Sequence, residues 1–218
     1  RKCMTSTHLL IGIVSLAMLS WLRARREPGS AGPWIGVMLG LALATELSAA
    51  VLRNLLHAPN TSLYNVYVGL EFILFMRIAT LSAPVGRAWT IMSMVVGLGA
   101  LAGSWWVHRD ETFLLTEGIL IVSTITAVWS IRVLWYLAQQ EDRPLWQRPL
   151  FWFFTGTMVY FGCIVPVVGM LRFLFQDSQG EHRFLYEIIT ISAMLRYLMA
   201  AISCHLAVRY RGWSDEQR

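Results

Sequence analysis

The stretch Asn60–Pro84, NTSLYNVYVGLEFILFMRIATLSAP, decides how the chain is read. Between two proline-containing breaks, HAPNTS and SAPVGR, it runs apolar from Leu63 to Leu81. As a helix, that length approaches the roughly 30 Å of a bilayer's hydrocarbon core. Yet it carries Tyr64, Asn65, Tyr67 and, in its middle, the ionisable Glu71. A charge in lipid is costly unless it is paired or faces a bundle interior, so the stretch predicts a transmembrane helix with one polar, inward face.

The rest of the chain repeats the pattern. Of its 218 residues, 56% are hydrophobic and only 14% charged, a composition that belongs to an integral membrane protein. Seven apolar runs, at 6–22, 34–56, 63–81, 88–107, 112–136, 150–174 and 184–208, are separated by short connectors rich in Pro, Gly and charge. They predict an all-α, polytopic seven-transmembrane-helix bundle in a single domain spanning 1–218, with antiparallel neighbours. The first run ends in Arg23, Arg25 and Arg26 without a small-residue cleavage site, so it reads as a retained helix rather than a signal peptide. Met4 reads as a natural start, which makes residues 1–3 upstream sequence.

Counting basic residues sets an orientation. Arg23, Arg25, Arg26, Arg77, Arg87, Arg132, Arg143, Arg148, Arg209, Arg211 and Arg218 fall on one side, and Arg1, Lys2, Arg53, Arg109, Arg172 and Arg183 on the other. The positive-inside rule then predicts an outer N-terminus and a cytoplasmic C-terminus. The same placement, in connectors between spans, argues against nucleic-acid binding despite a net charge of +5. The tail after the last run is short, so signalling would require a separate partner in the membrane or cytoplasm.

Beyond the span ends, five charged residues stand out as candidates: Glu46, Glu71, Glu117, Glu187 and Arg196. With the N-terminus outside, Glu71 lies about eight residues, or about 12 Å, below the outer surface, and all four carboxylates fall in the outer half. Glu46, Ala50, Arg53 and His57 recur at helical spacing on one stripe, as do Tyr64, Tyr67 and Glu71. Glu187, Thr190, Met194 and Tyr197 form a third face, with Arg196 on the opposite side from Glu187 and expected to have a different partner. An outward-opening polar pocket between these helices would satisfy all three faces. Its candidate ligand-binding residues are Glu46, Arg53, His57, Tyr64, Tyr67, Glu71, Glu117, Tyr160 and Glu187. In the plainer alternative the same groups cap helix ends or pair internally, for instance Glu46 with Arg53 or Arg196, and only fix packing.

Specific chemistries are constrained in turn. The only lysine is Lys2, so no span can supply a Schiff-base amine and a retinal protein is excluded. Haem would need a ligand pair from His8, His57, His108, His182 or His205, which lie near the surfaces. An intramembrane metal-dependent hydrolase could draw on Glu46, Glu71, Glu187 and His57, but no HExxH occurs. No GxSxG is present for a serine hydrolase. Transport by alternating access usually shows inverted repeats, and none is evident, although Pro166 should kink the sixth span. Cys3, Cys163 and Cys204 have no motif spacing. Cofactor and metal are therefore left open.

Three stretches carry a resemblance: NTSLYNVYVGLEFILF, RPLFWFFTGTMVYFGC and ISAMLRYLMAAISCHLAVRY. Together they resemble an uncharacterised family of Bacteroidetes-type seven-helix membrane proteins, similar to sensor input modules of two-component systems. The resemblance implies a bacterial inner-membrane location and marks Asn60, Tyr64, Tyr67, Glu71, Phe151, Trp152, Gly156 and Tyr160 as characteristic positions. It departs in the seventh span, where the family carries an Asn and this chain has Met194 to Arg196. The leading expectation is a receptor-like sensory module that binds a small cationic or hydrogen-bonding ligand. An accessory subunit of a larger membrane complex comes second and a metal-dependent hydrolase third.

Overall fold

The computed structural model describes residues 2–84, 86–107, 116–141, 143–174 and 182–213, with side chains for 6–84, 86–107, 116–141, 143–170 and 187–213. His108 and Arg109, the first residues of the expected fifth span, and the side chains of Cys3, Arg172, His182 and Arg183 lie outside these ranges.

Seven α-helices form among the described residues, in order: α1 (Lys2–Ala24), α2 (Gly32–Asn54), α3 (Thr61–Ser82), α4 (Arg87–Val107), α5 (Thr116–Ala138), α6 (Pro149–Leu174) and α7 (His182–Tyr210). Each is long and apolar enough to cross a membrane, and among the described residues there is no strand. This is the all-α architecture of an integral membrane protein. Its outer faces suit lipid: Leu16, Leu19, Val37, Val95, Val96, Ile131 and Ile191 are exposed, a placement that only a hydrocarbon solvent makes favourable. Trp34 and Trp89 are likewise exposed near helix ends, where aromatic side chains sit at the headgroup level.

The boundaries have local causes. Pro33 stands in the first turn of α2, where its missing N–H costs nothing. α2 stops at Asn54, two residues before the expected end, because the chain turns at His57 (φ 49°) toward Pro59, and the residue before a proline disfavours helix. α6 runs through Pro166 without interruption of its helix.

Helix packing closes a circuit. α1 packs on α2, α2 on α3, α3 on α5, α5 on α6, α6 on α7, and α7 returns to α1; α4 lies outside this circuit against α3 and α5. Small residues permit the tightest approaches. The buried face of α7 carries Ala193, Ala200, Ala201, Ser203, Cys204 and Ala207. On α6, a Cβ at Gly156 would lie 2.9 Å from the Met199 Cβ and 3.3 Å from the Arg196 Cα. Such small-residue contacts let membrane helices gain van der Waals packing where no hydrophobic drive separates helix from lipid. The core of the bundle is filled by Ile35, Leu39, Phe72, Phe75, Met76, Phe153 and Phe154, all almost fully buried.

One end of the circuit is fastened by Trp213. Its backbone N–H donates to the Pro28 carbonyl (2.8 Å) and its indole N–H to the Ala24 carbonyl (3.3 Å), and the side chain is 1% exposed. Gly29 adopts φ 140° directly under it, and a Cβ at either Gly29 or Gly32 would lie 2.5 Å from Trp213. The α1–α2 connector therefore needs both glycines to seat the tryptophan.

Candidate functional site

Glu71 lies ten positions after Thr61, in the middle of α3, and its buried side chain accepts from two directions. Arg196 Nη1 of α7 stands 2.6 Å from Oε1, with each side chain 3% exposed. The Tyr67 hydroxyl, one turn earlier on α3, donates to the same oxygen at 2.8 Å. Since that hydroxyl has one proton, its 3.2 Å contact with the Tyr197 hydroxyl must be donated by Tyr197. The order is therefore Tyr197 to Tyr67 to Glu71, with Arg196 closing the cluster from the side. Tyr197 follows Arg196 on α7, so two successive residues of one helix serve both ends of the chain of bonds.

The Arg196 guanidinium is held by aromatic faces more than by oxygen. Its Cζ lies 5.0 Å from the Tyr160 ring centre, 5.1 Å from Phe161 and 5.7 Å from Tyr197, within the range at which a ring quadrupole attracts a cation. Nη2 reaches only the Met38 sulfur of α2, at 3.8 Å. Nε has no hydrogen-bond partner among the described residues. Nε and Nη2 form one edge of the guanidinium, the edge suited to a two-oxygen acceptor, so the donors on that edge face a thioether and rings.

A second polar pair adjoins this centre. The Tyr64 hydroxyl donates to Glu46 Oε2 of α2 at 3.2 Å, and both residues are only partly buried. Four elements of the circuit, α2, α3, α6 and α7, thus contribute to one interior cluster of Glu46, Tyr64, Tyr67, Glu71, Tyr160, Arg196 and Tyr197.

The remaining candidates lie elsewhere. Arg53 and His57 are exposed at the end of α2, and Arg53 Nη2 donates to the Thr7 hydroxyl of α1 at 3.2 Å. Glu117 begins α5 and accepts from Ser104 of α4 at 3.4 Å, on the side of α5 where α4 lies outside the circuit. Glu187 is exposed on α7. Glu46, Tyr64, Tyr67, Glu71 and Tyr160 are brought together; Arg53 stands at the rim of that cluster, where its charge acts on Glu46 and Tyr64, and His57, Glu117 and Glu187 lie apart from it.

Arg196 and Tyr197, noted on α7 from the sequence, were not among the ligand-binding candidates, and Met38 and Phe161 were not singled out at all. A usable signal for Arg196 existed: of 18 basic residues it is the one far from every connector, and a mid-span cation demands a mid-span anion. The expectation that Arg196 partners something other than Glu187 holds. That partner is Glu71, rather than Glu46.

Among the described residues no three His, Cys, Asp or Glu side chains come together to hold a metal ion. No protein-family model matches the chain, and neither a curated protein nor a solved structure is found similar to it.

Proposed function

We propose that the chain is a receptor-like membrane module whose sensing element is the Glu71–Arg196 pair. The observation that carries the reading is the divided state of Arg196: one nitrogen bound to Glu71, and the Nε/Nη2 edge facing no oxygen. A pair of this kind is held firmly enough to define one arrangement, yet offers donors to a competing acceptor. The ligand in this reading is small and hydrogen-bonding, and it engages the cluster from the partly buried Glu46–Tyr64 side. Charge no longer favours a cation strongly, because Arg196 already balances Glu71. Binding would redistribute the bonds joining α3 to α7, and α7 runs on to the Trp213 clasp, so a shift would reach a partner protein at that end. A ligand can only shift such an equilibrium by its differential affinity for the two arrangements.

An accessory-subunit role is favoured by a different observation, the 3% exposure of both paired side chains, which suits a strut. The hydrolase reading gains no support from the placement of His57, which is exposed at the end of α2.

The test must avoid Glu71→Gln, because Arg196 loses its partner under either reading. Glu46→Gln and Tyr64→Phe are better, since both positions are partly buried. The purified chain is screened by thermal unfolding against small amines, inorganic cations, polyols and small carboxylic acids. A compound that raises Tm in the wild type and fails to do so in Glu46→Gln, at unchanged basal Tm, supports the receptor. If no compound shifts Tm, the strut reading stands instead.

A further inference from the structure

The Trp213 clasp gathers cations. Arg23 and Arg25 flank Ala24, whose carbonyl accepts the Trp213 indole, and Arg26 lies two residues before Pro28, whose carbonyl accepts the Trp213 backbone. Arg209 and Arg211 lie four and two residues before Trp213 on the other strand of the same contact. All five are exposed, and among the described residues none pairs with a carboxylate. Glu27 is the acidic residue within the described part of the clasp. Two segments 183 positions apart in sequence, counted from Arg26 to Arg209, thus converge on one basic surface.

The backbone at Arg211 is an independent observation. α7 ends with the Gly212 N–H bonded to the Ala207 carbonyl and the Arg211 N–H to the Val208 carbonyl, which places Arg211 at φ 55°. That bond pattern is the Schellman ending, whose left-handed position is normally glycine because a Cβ is strained there. Here an arginine occupies it while a glycine stands one residue later. Strained non-glycine backbone persists where the surrounding structure over-determines it, and such positions cluster at ligand clamps and other functional sites.

We infer that Arg23, Arg25, Arg26, Arg209 and Arg211 form a binding site for the headgroup of an anionic phospholipid at the clasped end of the bundle. The phosphate is the partner that guanidinium groups recognise best, through paired N–H donors. Clusters of this size next to a membrane span attract anionic headgroups. The lipid source is favoured over a soluble acidic partner because exposed Leu19 and Leu22 of α1 and Val208 of α7 continue along the same helices from the arginines. Those residues offer acyl chains a surface directly beneath the headgroup.

The test uses the full chain in phosphatidylcholine nanodiscs, titrated with phosphatidylglycerol and read by native mass spectrometry and Tm. The wild type should prefer phosphatidylglycerol to phosphatidylcholine. Arg211→Gly relieves the strained position, so Tm in pure phosphatidylcholine stays level or rises, while phosphatidylglycerol affinity falls about fivefold. Arg25→Gln/Arg26→Gln should lower it by about 25-fold, as two removed charges. Equal binding of the two lipids by the wild type, or an undiminished preference in both variants, overturns the site. A glutamate-rich peptide that stabilises the chain in phosphatidylcholine discs as much as phosphatidylglycerol does would reassign the surface to a soluble acidic partner and likewise overturn it.

Discussion

Glu71 Oε1 and Arg196 Nη1 lie 2.6 Å apart although their helices pack chiefly on other neighbours: α3 on α2, α4 and α5, and α7 on α6 and α1. The pair therefore bridges α3 and α7 through two long side chains rather than through extensive helix packing. Removing one partner leaves the other charged and buried, which costs about 3 to 5 kcal/mol. Arg196→Leu and Glu71→Leu should each lower unfolding stability by that order. The double variant should recover most of the loss, because an apolar replacement of a buried pair is often neutral. Thermal or denaturant unfolding of the four proteins completes the cycle. Additive single losses would mean that the two residues are not energetically coupled.

Tyr67 is the second support of the same carboxylate. Tyr67→Phe removes a donor to Glu71 and an acceptor for Tyr197 while keeping the ring. Hydrogen bonds between membrane helices measure about 0.6 and at most about 1.7 kcal/mol, and an orphaned buried group adds to the loss. A decrease of about 1 to 2 kcal/mol is expected. Tyr64→Phe, whose partner Glu46 is only partly buried, should change stability by less than about 1 kcal/mol. Unfolding midpoints at matched detergent concentration check the order; equal losses would contradict the central placement of Tyr67.

The sequence was legible where the solvent does the selecting. Connector chemistry at HAPNTS, SAPVGR and QQEDRPLWQRP located the helix breaks to within a few residues, because proline and charge both act locally. The stripe of Tyr64, Tyr67 and Glu71 was legible because α-helical spacing fixes it regardless of tertiary structure. Along the helices, Glu71 lies ten positions into the 22-residue α3 and its partner fourteen positions into α7. Pairing between α3 and α7 depends on the order of helices round the circuit, which short connectors do not encode. Spacing also grouped Arg53 and His57 with Glu46; both are exposed, Arg53 near enough for its charge to act on Glu46 and His57 beyond the end of α2. Gly156 carries no signal in the spacing, and its role emerges only from the close approach of α6 to the Arg196 backbone.

That approach makes Gly156 a remote handle on the polar cluster. A Cβ there would meet the Met199 Cβ at 2.9 Å, the Arg196 carbonyl oxygen at 3.2 Å and the Arg196 Cα at 3.3 Å. Two of the three are backbone atoms, which cannot rotate away, so α6 and α7 must separate locally. Overpacking of this kind costs about 1 to 3 kcal/mol. Gly162, on the same helix, has open space where its Cβ would be, and Gly→Ala there should be neutral or stabilise by up to about 1 kcal/mol through helix propensity. The informative measurement is the coupling between Glu71 and Arg196, repeated in a Gly156→Ala background. Displacing the Arg196 backbone should lengthen its bond to Glu71 and shrink that coupling, while Gly162→Ala leaves it unchanged. A Gly156→Ala protein that loses stability with full Glu71–Arg196 coupling would show that α6 sets the helix spacing without setting the geometry of the pair.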